Sequence, residues 1–296
     1  MELWIGAIDL GLGYAFLAMG VFITMRIYNF PDITADGSLT LGASITAALL
    51  VAGVNAYIAV AAAILAGFVA GAATGLIHTK LKVNGLLSGI LVTTALYSVN
   101  LRITGGRSNV PLIVANTLLT PLEKNFSTLP RWAVSLGLFI IFAAVALALL
   151  SMLFKTDFGL AMRSTGDNEI MTAAQGVSTD TMKIIGIGLS NALIAFSGAL
   201  VCQYQGFSDI NMGVGIVVFG LASVIIGESV LGFRKSPNSI TIKLVSVVFG
   251  AVLFRELVAA ALKLGLNPTD FKLINALFVL GAVSLPQLGL RRAFKL

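Results

Sequence analysis

Few residues in this 296-residue chain are of types that could do chemistry, and almost all of them sit inside oily sequence. Asp9, Glu228, Arg255 and Glu256 fall in or near apolar runs. Asp32 and Asp36 lie in one polar island, NFPDITADGSLTLGA (29–43), and Asn84, Ser88, Thr93, Tyr97 and Asn100 in a second, NGLLSGILVTTALYSVNLRITGGRSN (84–109). An ionisable side chain in a membrane interior costs at least ~2.5–3.5 kcal/mol unless paired or hydrated, so such residues mark internal ion pairs or a hydrated route for a solute. Groups for bond-making chemistry are missing. The single histidine, His78, lies beside Lys80 at the end of an apolar run, with no cysteine or second histidine nearby to complete a metal site and no setting for a Ser-His-Asp set. No Gly-x-x-x-x-Gly-Lys-Ser/Thr loop occurs, so the chain does not hold ATP in the usual phosphate loop. One cysteine, Cys202, excludes an internal disulfide. These absences point away from an enzyme.

The elements that must position these residues are membrane spans. Hydrophobic residues make up 57% of the chain and charged residues only 11%, with a mean hydropathy of +0.98. A soluble domain averages roughly 25% charged residues, so most of this surface must face lipid. The net charge of +6 does not signal nucleic acid, because the basic residues sit at the ends of apolar runs and form no basic face. Windows of about 20 apolar residues place candidate spans at 5–28, 38–54, 57–77, 84–103, 132–154, 182–204, 214–232, 240–263 and 272–288. The fold class is therefore all-α, a polytopic membrane protein of about nine helices, some short or broken, in a single transmembrane domain over 1–296. The stretch MELWIGAIDLGLGYAFLAMG has no basic region ahead of its apolar part and reads as a retained first span.

Orientation follows from the basic residues. With the N-terminus outside, the cytoplasmic side holds Arg26, Lys80, Lys82, Lys155, Arg163, Lys183, Arg234, Lys235, Lys243, Arg291, Arg292 and Lys295. The outer side holds Arg102, Arg107, Lys124, Arg131, Lys263 and Lys272, leaving Arg255 within a span. Twelve against six favours this topology. The outer connection 104–131 carries Pro111, Pro121 and Pro130, which argue against one continuous helix, while Leu112, Ile113, Leu118, Leu119 and Leu122 give it apolar faces to fold with. Gly67, Gly71 and Gly75 recur at helical spacing in the third span and read as a close-packing seam.

Both polar islands admit two readings. The first, where Asp32 and Asp36 flank a turn-rich segment with Pro31 and Gly37, is either a solvated loop or a helix break beside a transport pathway. The second either hydrogen-bonds to neighbouring helices or lines an aqueous route, part of its polar set (Ser88 with Tyr97, Thr93 with Tyr97) being placed on one face. A third island, STGDNEIMTAAQGVSTD (164–180), specifies a short helix: Asp167 as N-cap, Glu169 in the first turn, two turns over 168–175, and Gly176 as the left-handed stop. Ser178 and Thr179 then offer a second N-cap before the span at 182–204. A plain connection needs only about 2–8 residues, so this helix has a purpose of its own.

The runs NFPDITADGSLTLGA, MRSTGDNEIMTAAQGVSTD and QGFSDINMGVGIVVFGLASVIIGE, in that order over nearly the whole chain, resemble the permease subunits of ATP-binding-cassette importers. The branch is that of the branched-chain amino acid and ribose permeases, nearest to one associated with aromatic amino acid uptake. The resemblance implies that the loop 155–181 carries a cytoplasmic coupling helix, with Arg163, Gly166, Asp167, Asn168, Glu169, Ala173 and Gly176 set against an ATPase subunit. It further implies a second permease copy, an extracytoplasmic substrate-binding protein, and ATP and Mg bound by the partner ATPase, with no cofactor in this chain. The setting would be a bacterial cytoplasmic membrane.

For the charges inside spans, adjacent Arg255 and Glu256 project about 100° apart on a helix, so each needs a partner elsewhere; Glu228 with Arg255 is the expected pair. The function these features support is uptake of a small solute through a gate driven by a partner's ATP hydrolysis. An amino acid is the expected solute, with an aromatic one as the narrower reading. The rival is an ion-coupled secondary transporter working through Asp9, Glu228 or Glu256; inverted repeats would favour it, and no internal symmetry stands out.

Overall fold

The computed structural model describes residues 2–113, 115–125, 130–231 and 239–265, with isolated helical positions between 273 and 281. Eight apolar helices account for most of the described residues. α1 (Glu2–Phe22) runs into a π-helical turn at Ile23–Ile27, followed by α2 (Thr34–Val51), α3 (Ala56–Lys80) and α4 (Gly85–Ile103). A short strand β1 (Asn109–Pro111) and helix α5 (Leu119–Asn125) lead to α6 (Arg131–Leu153). Two short helices, α7 (Asp157–Asp167) and α8 (Glu169–Ala174), precede α9 (Thr179–Gln205), strand β2 (Phe207–Asp209), α10 (Ile216–Leu231) and α11 (Ile240–Lys263). Seven of these helices are long and apolar enough to cross a membrane, and α10 is a shorter apolar helix. The expected span at 272–288 falls largely outside the described residues, as do Arg234, Lys235 and Lys272.

α1 and α9 form the centre. Phe16, Leu17, Met19, Phe22 and Ile23 of the first helix and its π turn are fully buried, as are Ile187 and Ile194 of the second. Small residues allow this closeness. Gly67 of α3 backs onto Asn191 and Ala195 of α9, Gly71 onto Ile187 and Asn191, and Gly75 onto Ile184, so the expected glycine seam is a helix–helix contact. Without a hydrophobic driving force between helices in lipid, such backbone-close packing is what joins them. α3, α4 and α6 lie at the periphery and expose apolar residues such as Leu65, Leu91 and Ile141.

The two ends of the bundle differ. At one end, Lys80 of α3 pairs with Asp180 of α9 at 2.8 Å, and the Tyr28 hydroxyl donates to the Met182 carbonyl at 2.6 Å, beside α7 and α8. At the other, β1 and β2 pair antiparallel (Val110 opposite Ser208), the Leu112 amide donates to the Gly206 carbonyl, and the Leu118 amide donates to Gln203. The proline-bearing segment is thus folded against the end of α9, with Leu112, Leu118 and Leu119 buried and Ile113 left exposed.

Gly37 departs from expectation. It is not part of a turn but lies inside α2, buried, with Leu96 of α4 against it. The chain break is confined to residues 28–33, because α2 already starts at Thr34. Replacing Gly71 by Val forces a branched side chain into the α9 backbone, and overpacking of this kind costs about 1–3 kcal/mol. The variant should therefore lose thermal stability in detergent, measured by size-exclusion chromatography after heating, whereas Gly137→Val, with open space around it, should melt like the parent.

Candidate functional site

α7 and α8 carry the third polar island. Thr156 caps α7, its hydroxyl accepting the Gly159 amide at 3.2 Å. Asp167 is not an N-cap as expected but the last residue of α7. The cap is Asn168, whose extended backbone (φ −154°) breaks the helix while its side-chain oxygen accepts the Met171 amide at 2.9 Å. The N-cap must leave helical geometry, and Asp167 is still held in it. α8 then ends as anticipated: Gly176 sits at φ +85°, its amide donates to Ala173, and the Val177 amide donates to Thr172, the paired closure of a Schellman turn. Ser178 flanks α9 at the expected place, but its hydroxyl goes to Thr181 and not to a helix amide.

The two short helices differ in burial. α7 is anchored, with Met162 and Thr165 buried and Gly166 pressed on the Ile27 carbonyl so closely that a Cβ would collide with it. The Asn29 side-chain amide also donates to the Gly166 carbonyl at 3.4 Å. α8 protrudes. Only Thr172 is buried, while Ile170 is 84% and Met171 60% exposed. One ion pair, Glu169 to Lys183 of α9 at 2.6 Å, ties α8 to the bundle; at this exposure it is worth no more than about 1 kcal/mol. Of the remaining residues in this set, Arg163 is half-buried on α7, and Asp167, Asn168, Glu169, Ala173 and Gly176 are exposed around α8.

The first island is a helix break with both carboxylates committed. Asp32 is buried, accepts the Thr34 amide at 2.8 Å through one oxygen, and accepts from the Asn191 side chain at 2.7 Å through the other. It therefore caps α2 and ties it to the middle of α9, about 18 Å along that helix from its first residue. Asp36 reaches across to α10 and accepts the amides of Gly215 at 2.8 Å and Val217 at 3.1 Å. The Thr34 and Thr74 hydroxyls share a hydrogen bond of 2.7 Å beside them.

The second island does not form one polar face. Asn84 caps α4 by accepting the Leu86 amide, and Ser88 is buried, donating back to the Asn84 carbonyl. Thr93 donates to the Ile33 carbonyl at 2.9 Å, and Asn100, also buried, donates to the Gly37 carbonyl at 3.4 Å. Tyr97 instead points outward, 52% exposed. Nine residues at about 100° each place Ser88 and Tyr97 on opposite sides of a helix, so that shared face is corrected. Six of the seven candidate pathway residues are engaged in caps or helix contacts.

The expected pair of Glu228 with Arg255 is also corrected. Glu228 is ion-paired with Arg26 in the π-helical turn. Arg255 lies over the Tyr14 ring, 4.5 Å from its centroid, and near Phe219. Gly227, beside Glu228, packs on Ser246 of α11, whereas Arg255 lies nine residues further along that helix, about 13 Å away in depth. Asp9 accepts from the Ser135 hydroxyl at 2.7 Å. Sequence reasoning missed Asn191, Ile170, Met171 and the Arg26 partnership. An isolated asparagine within the apolar run IGIGLSNALIAF could have pointed to the first; exposure and pairing across the bundle leave no sequence trace.

The comparisons with known proteins agree with one another. The family described as "Branched-chain amino acid transport system / permease component" matches residues 6–284. A tyrosine transport system permease protein of Clostridioides difficile is 38% identical over 275 residues, covering 93% of this chain and 88% of that protein. An uncharacterized protein of Rickettsia prowazekii is 32% identical over 93% of this chain and 94% of its own length. A ribose import permease protein of Escherichia coli is 25% identical over 91% of this chain and 80% of its own. No solved structure matches.

The capping geometry of α8 makes a local prediction. Asn168→Ala removes an N-cap worth about 1 kcal/mol, so backbone amides of 169–175 should exchange with deuterium several-fold faster while those of α9 stay protected. Asp167→Ala should leave exchange in α8 unchanged.

Proposed function

Because the chain belongs to the family of branched-chain amino acid transport permease components, and so is a multi-pass membrane protein of a transport system, we propose that it is the permease subunit of an ATP-binding-cassette importer. Two copies form the transmembrane pathway beneath an extracytoplasmic substrate-binding protein. ATPase subunits that hold ATP and Mg dock at the α8 end of the bundle, on the cytoplasmic side. Its solute is an amino acid, and an aromatic one; the tyrosine transport permease at 38% identity supports that choice over a sugar. The observation that carries the reading is α8: a capped, protruding helix that exposes Ile170 and Met171 where water would otherwise meet them. Two adjacent apolar side chains at the tip of a short helix outside the apolar spans suit contact with another protein.

Division of labour follows from the site. α7 is locked into the bundle at Gly166, while α8 is held by one ion pair and presents its tip, so a partner that grips Ile170 and Met171 moves α7 with it. Energy released in the partner shifts the balance between outward- and inward-facing states, by as much as the partner's states differ in their grip on α8. Against the ion-coupled alternative speaks the pairing of Glu228 with Arg26, which commits that carboxylate to a contact between helices.

Ile170→Asp should abolish co-purification with the ATPase and remove solute-stimulated ATP hydrolysis, with the permease still eluting as a folded membrane protein. Glu169→Gln and Gly176→Val should retain assembly and lower stimulated hydrolysis several-fold. If Ile170→Asp assembles and hydrolyses ATP like the parent, α8 is not the docking element.

A further inference from the structure

One stretch of eleven residues, 26–36, touches α10 at both of its ends. Arg26 in the π-helical turn is ion-paired with Glu228 near the end of α10, and Asp36 accepts the amides of Gly215 and Val217 at its start. Between those two contacts the same stretch meets the α7–α8 element: the Ile27 carbonyl abuts Gly166 with no space for a Cβ, and Asn29 donates to the Gly166 carbonyl. Asn29 itself sits at φ +50°, in the left-handed region that few side chains adopt without strain. Asp32, through Asn191, anchors the stretch to α9.

We infer that residues 26–36 form a strap that sets the position of α10 relative to α7 and α8, with Arg26, Asn29 and Asp36 as positioning residues for the transport cycle. The inference rests on the reading of α8 as the docking element. Three features suit the strap to carry a displacement. The Gly215 and Val217 amides at the start of α10 are held by the carboxylate of Asp36 on α2, so that start is tied directly to the strap. Gly227 and Gly250 bring α10 and α11 into backbone contact, so the two helices move as one body. The π turn is a place where helical register can change, since conversion to α geometry would rotate the downstream residues by about 100°. Space for that change exists: a cleft of about 310 Å³ flanks the strap, lined by Tyr28, Phe30, His78, Asn84 and Lys183.

The test uses the full complex with its ATPase in lipid nanodiscs, in a Cys202→Ser background. Nitroxide labels are placed at exposed positions on α7 (Leu160→Cys), α10 (Val218→Cys) and α3 (Leu65→Cys, the reference). Distances from the reference are measured with and without MgATP and vanadate. In the parent, trapping should shift both the α7 and the α10 labels. Asp36→Asn replaces one acceptor oxygen with a donor facing an amide; it should keep the α7 shift and lose the α10 shift, and uptake of L-tyrosine per ATP should fall on the order of tenfold. Asp36→Glu, which restores both acceptors, should recover the α10 shift, a rescue that a general folding defect would not show. Arg26→Gln acts at the far end of α10 and should give the same loss, so it carries the test if Asp36→Asn does not fold. An α10 shift that persists in both variants overturns the strap. A parent whose α7 label stays still overturns the docking role of α8 instead, and the strap with it.

Discussion

Backbone amides inside an apolar medium must be satisfied from within the protein, because each one left unpaired costs several kcal/mol. α2 begins inside the bundle at buried Thr34, whereas α10 begins at a more exposed turn, where the Ile216 amide finds the Gly213 carbonyl and the Gly215 and Val217 amides still take a side-chain acceptor. Asp32 and Asp36 supply the acceptors, one for its own helix and one for a helix nearly two hundred residues away in sequence. Packing contacts hold Asp32 where its amide is. Asn191 holds Asp32 against the central helix, and the glycines of α3 let that helix come close enough to place Asn191 there. A carboxylate used in this way is a structural cap, and its cost in the membrane is offset by the hydrogen bonds it accepts.

The same constraint bears on where the helices are interrupted. The long helices are interchangeable as oily rods; what distinguishes them is where they are interrupted. α1 ends in a π turn, α2 starts only at Thr34, and α10 starts at a turn held by Asp36, so residues 26–36 touch all three. α7 meets the bundle at that same stretch, through Gly166. If a partner docks at α8 as proposed, a displacement there meets first the stretch where α1 and α2 are interrupted.

Much of this was legible in the sequence. Apolar windows placed the eight described helices within a few residues, and the glycine spacing of α3 read correctly as packing. The short helix α8 announced itself through Glu169 and Gly176, since a helix stop that needs positive φ leaves a glycine behind. Its cap was misplaced by one residue, because Asp167 and Asn168 are both good caps and only the preceding helix decides which of them leaves helical geometry. Long-range pairing was not legible. Arg26 and Glu228 lie about two hundred positions apart, and nothing local in either stretch names the other; Arg255 looked a better partner only because both sit in late spans. Tyr97 was placed on the wrong face through spacing alone, which the period of the helix corrects.

The central claim is that this chain moves an amino acid only when another subunit hydrolyses ATP at its α8 end. The most direct measurement is uptake of radiolabelled L-tyrosine into proteoliposomes holding the chain with its proposed ATPase and binding-protein partners, with no ion gradient imposed. The account predicts uptake that requires MgATP on the α8 side and stops when the ATPase is left out. Uptake by the chain alone, driven by a proton or sodium gradient and indifferent to ATP, would contradict it.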